Sequence, residues 1–199
     1  MRAELDRIED FIPHYLTKER AEGLARELSK FKERESVSFY MKGYQDERLQ
    51  GDGWLGFPVV NLQTCEVRKV KGVILSNTCD ISPENSRDIE PKIIFAPLVS
   101  LANYERRLIE KGLPAEKVSG KLDSIRSQSV SSIFYFPPQP GESAEYIAPL
   151  DDIHSVPISH HGGDGLSGKL FTLSMVGFYL FLFKISVHFC RFHEGVDRS

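Results

Sequence analysis

The pattern of apolar and polar positions predicts two short buried strands in the middle of the chain. An apolar, β-branched run at residues 73–75 is followed by a polar turn at residues 76–80, as is typical of a buried strand that ends in a turn. Residues 92–98 repeat the pattern, because an Ile-Ile-Phe run is stopped by Pro97, which cannot donate a ladder hydrogen bond. We expect a site to form where these two strand ends meet.

Further β-type segments surround these two strands, and they are residues 37–41, 54–60, 66–70, 133–136 and 146–157. Each is rich in β-branched or aromatic residues and is bounded by Gly, Pro or charged positions. Strands and helices do not alternate regularly along the chain. The order of segments therefore predicts an α+β fold with a small, strongly bent antiparallel β-barrel over residues 36–160 rather than a doubly wound sheet.

Helical periodicity predicts two additions to this barrel. Residues 4–12 and 17–33 form an N-terminal helical extension (1–35), whose second helix has an apolar stripe of leucines and Phe31. Residues 101–128 form a helical insert of two helices, with Ser100 at the N-cap of the first. Pro114 begins the second helix.

The last long apolar segment predicts a C-terminal helix. Residues 169–193 are apolar on nearly every side, so we expect a helix spanning 168–194 to pack across the barrel. Residues 170–183 contain no charge, but Lys184 ends this run well short of the roughly 20 residues that a membrane-spanning helix needs. The pattern favours a buried core or interface helix, with no membrane contact.

Charge and cysteine content narrow the class of protein. With 25 basic and 28 acidic side chains the net charge is −3, so no global field attracts nucleic acid, and any such contact is local. Cys65, Cys79 and Cys190 are odd in number and far apart, which predicts no disulfide framework. The N-terminal residues lack the apolar core of a signal peptide, so we expect a cytoplasmic protein.

Cysteine and histidine spacing does not predict a metal site. Cys79 has no second cysteine at ligand spacing, and we interpret it as a small buried residue at a turn. His188, Cys190 and His193 lie on partly different faces of the predicted last helix. We therefore expect neither a metal nor another cofactor.

Four short segments, in a fixed order, carry a resemblance to a known family. They are Gly51-Asp52-Gly53-Trp54, Lys71-Gly72-Val73-Ile74-Leu75-Ser76-Asn77, Ile94-Phe95-Ala96-Pro97-Leu98-Val99-Ser100 and Leu150-Asp151-Asp152-Ile153-His154-Ser155-Val156. Together they cover residues 51–157, and their order resembles that of the MazF/PemK family of endoribonuclease toxins. The resemblance implies an SH3-like barrel and metal-independent cleavage of single-stranded RNA.

The chain departs from this family at the positions that carry its chemistry. Lys71 with Gly72 stands where the family has Arg-Pro, and Ser100 follows the third strand one position late. His154 replaces the Arg of the late strand. The resemblance therefore supports the fold more directly than the activity.

Three residues are candidates for the chemistry of RNA cleavage. Attack by the 2′-hydroxyl needs proton transfer and positive charge near the phosphorane. Lys71 would supply charge, His154 would act as the acid or base, and Ser100 would bind a phosphate oxygen. Each has a simpler alternative, namely a solvated lysine, an ordinary surface histidine and a helix N-cap.

RNA contacts are predicted around the same strand. Lys69 and Lys71 would project from one side of a strand and follow a phosphate backbone, with Arg68, Ser76 and Asn77 beside them. Trp54, Phe57 and Tyr146 are candidates for base stacking, although aromatic residues of short strands usually fill a core.

Two classes of function remain open. The first is a toxin-type endoribonuclease, and the second is a catalytically inactive SH3-like barrel that acts as an interaction module in phage defence or toxin regulation. The apolar surfaces of the first and last helices also predict a homodimer or a complex with an antitoxin-like protein partner.

Overall fold

The computed structural model describes residues 39–82, 84, 88–161 and 166–189. The predicted helices at 4–12 and 17–33 lie outside the described residues. Within the described part, nine strands and three α-helices follow one another along the chain, together with 3₁₀ turns at Thr78–Ile81 and Ile158–His161. The fold is α+β, as the sequence predicts.

The strands are β1 (Tyr40–Met41), β2 (Gly53–Val60), β3 (Val67–Ile74), β4 (Lys92–Pro97), β5 (Val99–Ser100), β6 (Ile133–Phe136), β7 (Tyr146–Pro149), β8 (His154–Pro157) and β9 (Gly168–Leu173). The helices are α1 (Leu101–Glu110), α2 (Ala115–Arg126) and α3 (Met175–Phe189).

Six of the strands form one curled antiparallel sheet, a half-barrel, in the order β1-β9-β2-β3-β4-β8. The other three form a small antiparallel sheet in the order β5-β7-β6. Helices α1 and α2 connect β5 to β6, so the predicted helical insert is confirmed. The strands predicted at 54–60, 92–98 and 133–136 are confirmed as well.

Alternation along β3 gives the large sheet two faces with different cores. On the first, which we call the Phe95 face, a β-carbon at Gly72 would meet the rings of Phe57 and Phe95, and Ile74 packs with them. On the second, which we call the Ala96 face, Val73 packs in a core shared with the small sheet and α3. Successive residues of a strand point to opposite faces, so a residue's position in β3 fixes the core it joins.

Helices α1 and α2 cover the far side of the small sheet. Leu101 and Leu108 of α1 and Leu122 of α2 pack against Tyr135 and Ile147. The small sheet therefore lies between these helices and the core of the Ala96 face, which also contains Phe134 and Phe136. This arrangement places Lys71, in the middle of β3, beside β7, which pairs with β5.

Two predicted strands have different bounds in the structure. The segments expected at residues 66–70 and 73–75 are one continuous eight-residue strand, Val67–Ile74, whose first half is exposed and carries charged residues. The sequence thus predicts both parts of β3 but not their continuity through Lys71 and Gly72. The extended segment 146–157 is two strands, β7 and β8, because the chain turns at the buried Leu150, whose N–H donates to the Ser132 carbonyl at 2.8 Å.

The predicted start of the last helix is wrong. Gly168–Leu173 is strand β9, which pairs with both β1 and β2, and α3 begins only at Met175. A continuous apolar run does not distinguish a buried strand from a buried helix. The large sheet thus extends beyond the barrel boundary expected near residue 160. Among the described residues, no helix is long and apolar enough to cross a membrane.

Candidate functional site

Lys71 is half-buried on the Ala96 face, and its ammonium contacts Tyr146. The Nζ atom donates to the phenolic oxygen of Tyr146 at 2.6 Å and lies 4.7 Å from the ring centroid. No carboxylate of the described residues forms an ion pair with Lys71. An ammonium has no acceptor, so the phenolic O–H of Tyr146 is directed away from Lys71. Both groups therefore retain donor protons for a further acceptor.

Ser100 lies beside Tyr146 on the same face of the small sheet. The two residues are cross-strand partners in the β5–β7 ladder, and such pairs have neighbouring side chains. Ser100 occupies the N-cap position of α1, but its side chain makes no capping hydrogen bond. The simpler role that the sequence allows for this hydroxyl is therefore absent. We call Lys71, Tyr146 and Ser100 the Lys71 site.

Lys69 continues this surface along β3. It precedes Lys71 by two positions, lies on the same face and is exposed. Alternate residues of a strand are about 6.6 Å apart along its axis. Two lysine side chains therefore project from this face in a row that ends at Tyr146.

His154 does not join the Lys71 site. It pairs with Phe95 across β4 and β8, and its ring stacks on that of Phe95 with centroids 5.5 Å apart, which places it on the Phe95 face. Its Nε2 atom is 2.9 Å from Oδ1 of Asp152. The three predicted catalytic residues are thus divided between two faces of the sheet: Lys71 and Ser100 come together, and His154 is separate.

Arg68 and Ser76 also lie away from the Lys71 site. Arg68 pairs with Val59 on the Phe95 face and forms an exposed ion pair with Glu66 at 3.2 Å. The hydroxyl of Ser76 accepts from the N–H of Ile94 at 2.7 Å, so it joins the strand end to β4. Its geometry supports a role in folding.

Asn77 caps the 3₁₀ turn that follows β3. Its Oδ1 atom accepts from the N–H of Cys79 at 2.9 Å. Cys79 is exposed, contrary to the buried position that the sequence suggested. Asn77 therefore has a local structural role in the turn that follows β3.

Of the three candidate stacking residues, two belong to the core. Phe57 is fully buried against Phe95 with ring centroids 4.1 Å apart, and Trp54 is 9% exposed. Tyr146 is half-buried and is the one whose ring borders the lysine row.

Glu145, the residue before Tyr146, forms a second polar cluster with Arg126 and Tyr135. The sequence does not predict this cluster. The Glu145 carboxylate accepts two hydrogen bonds from Arg126, each 2.8 Å long, and a third from the hydroxyl of Tyr135 at 2.6 Å. These contacts hold the pKa of Glu145 below its usual range, with the Arg126 hydrogen bond as the largest cause. Arg126 is 19 positions away in the chain, so no local pattern pairs it with Glu145.

The side chains that the structure describes offer no obvious metal centre. No group of three or more His, Cys, Asp or Glu residues in this part of the chain is placed to hold a metal ion. The Lys71 site consists of hydrogen-bond donors, which suits an anion.

Fold and site together define an α+β protein with a curled antiparallel sheet and a cationic, phenol-containing surface at the junction of its two sheets. Comparison with known proteins finds neither a family model nor a curated protein that matches this sequence.

Proposed function

We propose that this protein is a toxin-type endoribonuclease with an SH3-like barrel, which binds single-stranded RNA at the Lys71 site and cleaves it without a metal ion. The observation that carries the proposal is the contact between Lys71 and Tyr146. An ammonium with no carboxylate partner among the described residues, a phenol and a serine hydroxyl lie together at one edge of the fold. RNA phosphate accepts hydrogen bonds from all three groups.

The same residues suit the chemistry of RNA cleavage. The 2′-oxygen attacks phosphorus, the bond to the 5′-oxygen breaks, and the products carry a 2′,3′-cyclic phosphate and a 5′-hydroxyl. Lys71 would stabilise the charge that develops on the phosphorane, and Ser100 would donate to a non-bridging oxygen. Tyr146 would donate its proton to the leaving 5′-oxygen, while water takes the proton of the 2′-hydroxyl. With water as the base, we expect a slow enzyme.

The position of His154 favours a second candidate function. A histidine on the Phe95 face does not reach a phosphate bound on the Ala96 face, so the predicted acid–base residue is missing from the Lys71 site. A catalytically inactive interaction module that binds RNA through the same three residues accounts for this separation equally well. Cleavage distinguishes the two candidates.

The test incubates purified protein with mixed-sequence RNA in EDTA and maps the ends that appear. Cleavage that leaves 5′-hydroxyl ends, is lost in Lys71→Met and Tyr146→Phe, and persists in His154→Ala would support the ribonuclease. Lys111→Met, which removes an exposed lysine at the end of α1, is the control. Cleavage that is lost in His154→Ala but persists in Lys71→Met would contradict the proposed site.

RNA binding is measured in parallel by fluorescence anisotropy. Binding without cleavage, weakened by Lys71→Met, would support the interaction module. A protein that neither binds nor cleaves RNA would contradict both candidates at this site.

We also propose that the protein forms a homodimer or a stable complex with an antitoxin-like partner. Met175 and Phe189, at the two ends of α3, are 47% and 52% exposed, and such apolar surface favours association. Light scattering at micromolar concentration that gives a monomer with no co-purifying protein would contradict this proposal.

A further inference from the structure

Glu145, which immediately precedes β7, contacts three other elements of the fold. Its carboxylate contacts Arg126 of α2 through both guanidinium donors and Tyr135 of β6 through the phenol. Its backbone carbonyl accepts from the N–H of Leu101, the first residue of α1, at 3.0 Å. One side chain and one carbonyl thus fasten this point of the chain to α1, α2 and β6.

Two residues of the Lys71 site are adjacent in sequence to these fastened positions. Tyr146 follows Glu145, and Ser100 precedes Leu101. The β5–β7 ladder that holds the pair in register has only two residue pairs, Val99 with Ile147 and Ser100 with Tyr146. So short a ladder gives little stability by itself.

Glu145 does not contact the site directly. Its side chain turns towards Tyr135, which packs with α1 and α2, whereas Tyr146 packs on the opposite side of the small sheet. Any influence of Glu145 on Lys71 therefore passes through the backbone of residues 145 and 146. A bidentate arginine–carboxylate pair is well suited to this task, because it restricts orientation as well as distance.

We propose that Glu145 is the positioning residue of the Lys71 site: its contacts with Arg126 and Tyr135 hold the Tyr146 phenol against the Lys71 ammonium and in register with Ser100. The expected effect of Glu145 on RNA binding rests on the proposed function, but its expected effect on the contact between Lys71 and Tyr146 does not. Loss of the Glu145 contacts loosens the start of β7, and Lys71 then loses its phenol partner.

The first experiment measures the accessibility of the Lys71 amine. Limited acetylation with an N-hydroxysuccinimide ester, followed by peptide mass spectrometry, gives the labelling rate of each lysine. In the wild-type protein we expect Lys71 to react slowly, because its ammonium is half-buried and donates a hydrogen bond to the Tyr146 hydroxyl. We expect labelling of Lys71 to rise about threefold or more in Glu145→Gln and in Arg126→Lys, which lose the paired, charge-assisted hydrogen bonds. Labelling of Lys111 is expected to stay constant.

Matched variants separate positioning from general loss of structure. Glu116→Gln neutralises an exposed glutamate on the same helix as Arg126 and should leave Lys71 labelling unchanged. Tyr135→Phe removes only the third hydrogen bond and should have a smaller effect than Arg126→Lys. A rise in labelling at all lysines alike, or none at Lys71 in folded Glu145→Gln and Arg126→Lys, would overturn the proposal.

RNA binding by the same variants keeps the two proposals distinguishable. If both proposals hold, the variants in which Lys71 is labelled fastest bind RNA most weakly. Glu145→Gln should then bind RNA more weakly than Tyr135→Phe. Specific labelling changes without any RNA binding would refute the proposed function and leave the positioning role intact. RNA binding that depends on Lys71 but is unaffected by Glu145→Gln and Arg126→Lys would refute the positioning role alone.

Discussion

The ammonium of Lys169 lies 2.7 Å from Oδ2 of Asp52, and the two side chains are only 4% and 1% exposed. Lys169 also donates to the carbonyl of Tyr44 and to the hydroxyl of Thr172, so β9 is joined to the loop that precedes β2. Burial raises the pKa of Asp52, although the hydrogen bond from Lys169 acts in the opposite direction. A buried pair of this kind depends on both partners, because either charge alone is costly in the core.

Removal of either partner is therefore expected to destabilise the protein strongly. Lys169→Met leaves the Asp52 carboxylate buried without a counter-charge and should lower the free energy of unfolding by about 3–5 kcal/mol in urea denaturation. The double variant Asp52→Asn with Lys169→Met should recover part of that loss. Glu66→Gln, which breaks the exposed pair with Arg68, is the control and should change stability by less than about 1 kcal/mol. A folded Lys169→Met protein with wild-type stability would contradict the assigned role.

The burial of Lys184 predicts a specific pH dependence of the free energy of unfolding. Its side chain is buried in α3 and donates to the carbonyl of Gln128, and burial lowers its pKa from 10.5 to about 8. Between pH 8 and 10.5 the unfolded chain binds more protons at this residue than the folded protein does, so stability rises with pH across that interval. Below pH 8 the buried ammonium is charged, and it lowers the free energy of unfolding by its full cost, on the order of 3 kcal/mol.

Lys184→Met tests this assignment. The variant should lose the rise in stability between pH 8 and 10.5 that the wild-type protein shows at this residue. Unfolding free energies at several pH values are compared with those of Lys111→Met, in which an exposed lysine is replaced. If the pH profiles of wild type and Lys184→Met run parallel, Lys184 is not the group responsible.

The packing around Gly72 predicts that this position of β3 does not tolerate a side chain. A β-carbon there would lie 2.5 Å from Cδ2 of Phe57 and 3.0 Å from the ring of Phe95, on which His154 stacks. Gly72→Ala should therefore destabilise the protein by about 1–3 kcal/mol through overpacking. Gly120 in α2 has no atom within 4 Å of such a carbon, and Gly120→Ala should stabilise by about 0.5–1 kcal/mol. Thermal melts of the two variants that shift in the same direction would contradict the packing difference.

The sequence predicts most of the strands and helices that the structure describes, but it places several of their bounds wrongly. The strand Lys92–Pro97 and the helices Leu101–Glu110 and Ala115–Arg126 follow the apolar pattern closely. The two halves of β3 are predicted as separate segments, because Lys71 and Gly72 interrupt the β-branched pattern between them. Strand β9 is predicted as the start of the last helix, since an uninterrupted apolar run fits either a strand or a helix.

The candidate site is predictable only in part. Lys71 and Ser100 are candidates because of the family resemblance and because they lie near predicted strand ends. The structure brings them together through Tyr146, although Lys71 lies within β3 and not at its end. His154 has a suitable residue type, but the side of the sheet that it occupies depends on which strand β8 pairs with. The link from Glu145 to Arg126 depends on how α2 packs against the small sheet, which no local pattern encodes.

The salt dependence of RNA binding separates the roles of Lys71 and Tyr146. Each phosphate that a lysine neutralises on a single strand contributes a slope of about −0.7 to a plot of log K against log salt concentration. Lys71→Met should therefore weaken binding and make the slope shallower by about 0.7. Tyr146→Phe keeps the ring beside Lys71 but loses the hydroxyl, so affinity should fall while the slope stays the same. His154→Ala, on the other face, should change neither quantity at pH 8. An unchanged slope in Lys71→Met would mean that this ammonium does not contact phosphate, and RNA would then bind elsewhere on the protein.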